Sequence, residues 1–110
     1  LKVLHLANTI CINSDFRSAI SQLHQESFDC IYFDGHHNKE ATLAYFNLLI
    51  SKAHNNSVFI FDDIYWSRDM TQAWETILKD SRVIVSIDCF NLGFIFFRKE
   101  QPKQHFRIRL

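Results

Sequence analysis

The sequence predicts an α/β fold in which a mixed β-sheet carries helices on both faces and ends in an antiparallel pair of strands. Two short apolar runs, Cys30–Phe33 and Val58–Phe61, flank one amphipathic stretch, which is the pattern of a strand–helix–strand unit. A second amphipathic stretch follows, and after it come the runs Arg82–Asp88 and Leu92–Phe97, separated by only a few residues. So short a link permits only antiparallel pairing of those last two strands.

Composition limits the kind of protein this is. The 110 residues, 47% hydrophobic and with eleven Phe, are enough for one small domain with a packed core. Net charge is zero and no long basic run occurs, so we expect no nucleic-acid partner. No apolar run is long enough for a membrane span, and no secretory segment is visible. Cys11, Cys30 and Cys89 are odd in number and lie in apolar surroundings, which predicts buried thiols in a reducing, cytoplasmic compartment.

The first part of the chain predicts a helix end, a short strand and a helix. Leu1–Leu6 is apolar at most positions and is interpreted as the tail of a helix. Thr9–Asn13 has the composition of a short strand. Ser14 or Asp15 can cap a helix that continues to about His24, because their side-chain oxygens accept from free backbone N–H groups.

The next segment predicts a buried strand followed by a helix. Phe28–Phe33 is apolar at nearly every position, as expected for a strand that is covered on both faces. Asp34 and the glycine after it turn the chain. His37 or Asn38 then opens a helix over Lys39–Ala53, whose apolar residues form one stripe.

A turn, a second buried strand and a second helix follow. Asn55-Asn56 predicts a turn with positive φ, because Asn adopts this conformation more readily than other non-glycine residues. Val58–Phe61 is the buried strand, and Ser67 caps the helix after it. That helix has a complete apolar stripe at helical spacing, consisting of Met70, Ala73, Trp74, Ile77 and Leu78.

The chain ends in predicted strands. In Arg82–Asp88 the alternation predicts that Val83, Val85 and Ile87 point inward. The strand Leu92–Phe97 pairs with it. A polar, Pro-containing segment follows, and alternating apolar residues then predict a last edge strand; they are Phe106, Ile108 and Leu110.

Polar residues follow both buried strands where these end. Asp34 comes after the first strand, and Asp62 and Asp63 come after the second. Parallel strands that are joined by a helix have their carboxyl ends at one edge of the sheet, where ligands of open α/β sheets bind. We therefore expect these three carboxylates and the pair His36–His37 to converge on one crevice. Such a group of oxygens suits Mg²⁺ or another divalent cation.

Local sequence then indicates a family. FDCIYFDGHHNKEATLAYF resembles the "FDxIxxDGxHxxExxxxYF" segment of class I S-adenosylmethionine-dependent methyltransferases that act on small-molecule hydroxyls. NNSVFIFDDIYWS is similar to the "GGxxxxDDxxWS" segment of the same enzymes, and FNLGFIFFRKEQ resembles their last strand. The resemblance covers most of the chain and implies a partial Rossmann-like methyltransferase fold over residues 1–110, equivalent to the carboxyl-terminal half of the family's domain.

The resemblance also implies roles for individual residues. Asp34 would lie beside the methionine part of S-adenosylmethionine or bind a metal, and Asp15 would lie near the adenine. Asp62 and Asp63 fall where metal-dependent members carry an Asp-Asn pair. His37 would act as the base for the acceptor hydroxyl or as a ligand, since an unperturbed imidazole titrates near neutral pH.

The residues after the second acidic turn leave two interpretations open. Tyr65 and Trp66 either line a pocket for the acceptor or form an aromatic cluster at the rim of the core.

One feature of the family is absent from this sequence. There is no Gly-x-Gly loop and no acidic residue after a second strand to bind the ribose; in the family both precede the position of Leu1. We therefore expect a piece of a longer protein, whose missing amino-terminal half is a partner and without which the chain is inactive. We also expect the strand Phe28–Phe33 to lack the neighbour that it has in the family. Its edge would be covered either by the strand Thr9–Asn13 or, as we favour, by association of two copies as a homodimer.

Two other functions remain open at this point. A metal-dependent hydrolase would use Asp34, His37, Asp62 and Asp63 and would need no glycine-rich loop. A chain that folds and self-associates without catalysis is the non-enzymatic alternative.

Overall fold

The computed structural model describes residues 2–5, 8–11, 27–33 and 38–109, with side chains for the last two of these ranges. Their strands form one mixed sheet of seven strands in the order β2-β1-β3-β4-β6-β5-β7. The strands are β1 (Lys2–His5), β2 (Asn8–Cys11), β3 (Phe28–Phe33), β4 (Ala53–Asp62), β5 (Val85–Asp88), β6 (Leu92–Phe96) and β7 (Gln104–Arg107). The helices are α1 (Lys39–Leu49), which a short 3₁₀ turn at Ile50–Lys52 extends, and α2 (Arg68–Leu78).

The α/β architecture and the strand–helix–strand unit are confirmed. β3 and β4 are parallel, with Phe33 opposite Phe61 at their carboxyl ends, and α1 connects them. Asn38 caps α1, because its side-chain oxygen accepts from the backbone N–H of Ala41 at 3.0 Å. The predicted helix from Ser14 or Asp15 lies outside the described residues.

The prediction of a positive-φ turn at Asn55-Asn56 is wrong. Both residues lie within β4, and neither has a positive φ. The pairing of β3 with β4 is irregular here, and side-chain hydrogen bonds replace the regular ladder. The buried hydroxyl of Ser57 donates to the carbonyl of Phe28 at 2.5 Å and accepts from the N–H of His54 at 2.8 Å. The chain therefore continues as strand through the two Asn residues, with a local irregularity in pairing and without left-handed backbone.

Helix α2 packs on the sheet through the predicted stripe. Ser67 caps it, accepting from the N–H of Met70 at 3.2 Å. Ala73, Trp74 and Ile77 are fully or almost fully buried, and Leu78 packs against the core from its edge. Trp74 meets Phe61 edge to face at 6.0 Å between ring centres. The interpretation of Trp74 as a core residue is confirmed.

The core lies between the sheet and these two helices. Phenylalanines of β3 and β4 form its centre, with Phe33 and Phe61 stacked at 4.3 Å between ring centres. Phe46 of α1 contacts the edge of Phe59, which also meets Phe97 after β6. Each ring is at least nine-tenths buried. Aromatic pairs therefore hold the helices on the sheet.

The end of the chain forms the antiparallel pair and the edge strand that the sequence predicts. β5 pairs antiparallel with β6, and β7 pairs parallel with β5 at the edge of the sheet. The predicted inward face of β5 is wrong in part. Val83 is fully buried, but within β5 the buried residues are Ser86 and Asp88, whereas Val85 and Ile87 are half-buried.

The interpretation of Leu1–Leu6 as the tail of a helix is wrong, and so is the prediction that β3 has an unpaired edge. Lys2–His5 is strand β1, which forms an antiparallel hairpin with β2 and lies antiparallel beside β3. β3 is thus paired on both sides, with β1 and with β4. The edge that suggested a homodimer is already covered, and self-association stays a prediction without that support.

Two further sequence predictions concern thiols and membranes. Cys30 and Cys89 are free and half-buried rather than fully buried. Burial, followed by the nearby charge of Asp29, raises the pKa of the Cys30 thiol, which keeps it in the unreactive protonated form. Neither helix in the described part of the chain is long and apolar enough to cross a membrane.

Candidate active site

The carboxyl edge of the sheet carries an acidic turn of unusual backbone geometry. Asp62 is the last residue of β4 and pairs with Leu92 at the start of β6. Asp63 follows with a φ of 56°, a left-handed conformation that Asp tolerates better than most residues. Its N–H donates to the carbonyl of Asn91 at 2.8 Å, and its carbonyl accepts from the N–H of Trp66 at 3.0 Å. The turn is thereby attached to the β5–β6 hairpin, and both carboxylates are half-buried.

Aromatic side chains flank this turn. Trp66 and Phe90 are 64% and 54% exposed, which is high for large apolar residues. The rings of Tyr65 and Phe90 lie 5.7 Å apart. Together with Asp63 and Asn91 these three aromatic residues line a cavity of about 200 Å³. Tyr65 and Trp66 thus both line this cavity, and Tyr65 also packs against the core; that the cavity receives the acceptor stays a prediction.

A buried carboxylate lies directly behind the aromatic cluster. Asp88, the last residue of β5, is 3% exposed. It accepts from the hydroxyl of Tyr65, from the N–H of Phe90 at 2.9 Å and from Nη1 of Arg109 at 3.1 Å. The Arg109 guanidinium also lies 5.8 Å from the Tyr65 ring centre and 5.4 Å from that of Phe90, within range for cation–π attraction.

These contacts set the protonation states of the cluster. Burial alone would raise the pKa of Asp88, but the hydrogen bonds from Tyr65, the Phe90 N–H and Arg109 outweigh it and lower the pKa below its usual value. Burial and then the hydrogen bond to Asp88 raise the pKa of the Tyr65 hydroxyl. At neutral pH, Asp88 is therefore ionised and Tyr65 is a fixed donor to it, so neither group is free to act as a base.

The structure places part of the predicted site. Phe33 and Phe61 are paired, so the carboxyl ends of β3 and β4 lie at the same edge, and Asp62 and Asp63 are at that edge. The other predicted residues are outside the described residues; they are Asp15, Asp34, His36 and His37. Within the described ranges no three His, Cys, Asp or Glu side chains form a group that would hold a metal. Whether Asp34 joins Asp62 and Asp63 stays a prediction.

Sequence reasoning missed Asp88 as a residue of this edge. Its position after alternating apolar residues indicated only a strand end. Its main partners, Tyr65 and Arg109, are 23 and 21 residues away in the chain, and no short motif joins them. The only feature of the sequence that could have indicated Asp88 is a carboxylate at the end of a strand, before a tight turn. The same feature identified Asp62.

A mixed α/β sheet with a parallel central pair and an antiparallel terminal pair defines a partial Rossmann-like domain. A family model described as a methyltransferase domain matches residues 4–64. This range is more than half of the 110 residues, and the chain belongs to that methyltransferase domain family. The match ends within the acidic turn. No curated protein and no solved structure matches the chain.

Proposed function

We propose that the chain takes part, within a longer protein, in methyl transfer from S-adenosylmethionine to a hydroxyl group of a small molecule. The observation that carries the proposal is the family match, which extends from β1 to the turn at Asp62 and Asp63. This turn lies at the carboxyl edge of a parallel strand pair, where open α/β sheets bind ligands.

The reaction is an in-line displacement, in which the acceptor oxygen bonds to the methyl carbon as the bond from that carbon to sulfur breaks. The protein's main task is to align the reacting atoms, which reduces the entropic part of the barrier. By the resemblance, Asp34 would contact the methionine part of the methyl donor and Asp15 the adenine. His37 would take the hydroxyl proton.

The acidic turn is suited to a divalent cation by its chemistry. Asp62 and Asp63 offer carboxylate oxygens, which Mg²⁺ prefers, and Asp34 would complete a set of three. When bound, such a cation lowers the pKa of the acceptor hydroxyl. The half-buried position of Asp62 and Asp63 leaves their oxygens within reach of solvent, as ion entry requires.

The aromatic cavity beside the turn would receive part of the acceptor. Its volume of about 200 Å³ is below the roughly 300–1,000 Å³ of complete small-molecule sites. It therefore holds one ring or a short branch of the acceptor. An amino-terminal half of the domain, which we propose as a partner for this chain, would supply the glycine-rich loop and most of the donor-binding surface.

Methyl transfer by variants of the longer protein tests the proposal. Radiolabelled S-adenosylmethionine is incubated with a panel of small hydroxyl compounds and divalent cations. We expect Asp34→Ala and Asp62→Asn to abolish transfer, whereas the matched control Asp69→Asn, at an exposed position in the first turn of α2, retains it. Unchanged turnover by Asp34→Ala would remove that residue from the site. Cation-dependent hydrolysis of phosphate esters without methyl transfer would favour the hydrolase instead.

The proposed homodimer has a separate test. Light scattering over a dilution series of the chain should show a concentration-dependent mass if two copies associate. A monomeric mass at every concentration would end this proposal and would leave the proposal of methyl transfer unaffected.

A further inference from the structure

Asp88 accepts hydrogen bonds from three segments of the chain that are distant in sequence. Tyr65 belongs to the turn after β4, Phe90 to the β5–β6 hairpin and Arg109 to the residues after β7. Each of them gives one hydrogen bond to the Asp88 carboxylate. A buried carboxylate needs such donors, since an ionised group without partners is costly to remove from water. The position of each segment therefore depends on the others.

Arg109 is well fixed for a residue close to the end of the described chain. Besides the carboxylate, its Nη1 donates to the carbonyls of Asp88 at 3.2 Å and of Ile108 at 3.1 Å. The N–H of Ile108 donates to the carbonyl of Asp88 at 2.8 Å. The guanidinium of Arg109 is thus hydrogen-bonded to the Asp88 carboxylate, and the backbone of the preceding residue, Ile108, is hydrogen-bonded to the end of β5.

Strand β7 has little apolar packing to hold it. All of its residues are exposed, from Gln104 to Arg107. Its attachment is mainly polar and includes the pairing with β5, the hydrogen bond of 2.7 Å between Ser86 and His105, and the contacts of Arg109 with Asp88. Because β7 runs parallel to β5, the contacts of Arg109 with Asp88 lie at the carboxyl edge of the sheet.

We infer that Asp88 is a positioning residue for the acidic turn and that Arg109, by holding Asp88, makes the segment after β7 a determinant of the geometry at Asp62 and Asp63. The inference rests on the proposed function only in treating those two carboxylates as part of the site. Tyr65 transmits the effect, because it follows Asp63 by two residues and its hydroxyl is anchored on Asp88. The turn is also held by the backbone hydrogen bonds of Asp63 with Asn91 and Trp66 and by the hydrogen bond from the Thr71 hydroxyl to the carbonyl of Ile64, so loss of the anchor should loosen the turn and not unfold it.

Amide hydrogen exchange, followed by nuclear magnetic resonance, tests this inference without any need for activity. Tyr65→Phe removes one hydroxyl, and Arg109→Gln removes the guanidinium. In both variants we expect the amides of Asp63 and Trp66 to exchange about tenfold faster, as local opening becomes easier. The amide of Ile60, in the middle of β4, should keep its rate.

Arg107→Gln is the matched control. Arg107 is also an arginine close to Asp88, but it is 79% exposed and its Nε lies 3.9 Å from the carboxylate, beyond hydrogen-bond distance. We expect its variant to leave exchange in the turn unchanged, and Arg109→Lys to restore protection in part. If the turn amides stay protected in Tyr65→Phe and Arg109→Gln, or if all amides accelerate together, the inference is wrong.

Kinetics separate this inference from the proposed function. In the longer protein, Tyr65→Phe should lower kcat several-fold and leave the KM for S-adenosylmethionine unchanged, because the turn positions the acceptor and not the donor. Absence of methyl transfer in the unmodified protein would refute the proposed function, while the exchange rates would still decide the role of Asp88. Altered exchange without a change in kcat would overturn the link between Asp88 and catalysis.

Discussion

Gly93 of β6 lies directly against the indole of Trp74, and its replacement by Ala tests how α2 is placed on the sheet. A Cβ at position 93 would be 2.5 Å from Cζ3 and 2.9 Å from Cζ2 of Trp74, and closer still to Cη2. Ordinary carbon–carbon contacts are about 3.5–4.0 Å long, so the indole would have to withdraw by about 1 Å. Trp74 is 3% exposed and packs against Phe61, which leaves little room for that movement.

The expected loss of stability follows from two opposing effects. Overpacking a filled core costs about 1–3 kcal/mol, and three contacts under 3 Å place this site near the upper end. Replacing Gly by Ala within a strand recovers about 0.5–1 kcal/mol of backbone entropy. We therefore expect Gly93→Ala to lower the free energy of unfolding by about 1.5–2 kcal/mol. With an m-value of about 2 kcal/mol per M, the urea midpoint would fall by about 1 M.

A double-mutant cycle with Trp74→Phe identifies the source of that loss. Phe lacks the outer ring atoms that the new Cβ would meet, so in the Trp74→Phe background Gly93→Ala should keep only its backbone-entropy gain of about 0.5–1 kcal/mol. The coupling free energy would then be about 2–3 kcal/mol, well above the ~0.5 kcal/mol within which independent sites are additive. Urea unfolding followed by circular dichroism measures all four proteins. An equal cost of Gly93→Ala in both backgrounds would refute the steric explanation.

Two other predictions concern hydrogen bonding and pH. Ser57→Ala removes a fully buried hydroxyl that satisfies two backbone groups, so it should lower the free energy of unfolding, measured in urea, by about 1–3 kcal/mol. The control Ser51→Ala, at an exposed position, should change the free energy of unfolding by less than about 0.5 kcal/mol. Similar costs for the two variants would contradict this prediction. Although His105 is exposed as a residue, desolvation of its ring beside Ser86 and then the charge of Lys103 lower its pKa. The unfolded chain therefore binds the proton more readily, and the stability that neutral His105 contributes is lost as pH falls below about 6.5. His105→Asn should flatten this decline, and a difference between the two proteins that is independent of pH would count against it.

Elements with a strong local signal were predictable from the sequence. The stripe of α2 and its cap at Ser67 are encoded within a dozen residues, and the structure has both. The apolar runs Phe28–Phe33 and Val58–Phe61 have β-type composition, and both are strands in the structure, although β4 begins earlier than predicted, at Ala53. Helical periodicity, capping and apolar runs are local properties, so one sequence is enough to identify them.

The remaining features depend on contacts that no local pattern encodes. Lys2–His5 is too short for a period to be visible, and its pairing with β3 decides that it is a strand. At Asn55 the chain has turn-forming residues, yet hydrogen bonds of Ser57 keep it in β4. Asp88 is buried, whereas the apolar residue Ile87 beside it is only half-buried. The burial of this carboxylate depends on hydrogen-bond donors that Tyr65 and Arg109 supply from distant parts of the chain. Tertiary contacts outweighed propensity in each case.

Strand β7 also has a consequence for solubility. An edge strand exposes unpaired backbone groups on which another chain can add, and charged side chains on that strand discourage such addition. Arg107 lies in β7, and Lys103 and Arg109 flank it, all of them exposed. Two copies that met edge to edge at β7 would bring these cations together and repel each other. β7 therefore protects the apolar residues of β5 from intermolecular sheet growth, and a dimer of this chain would have to form on another surface.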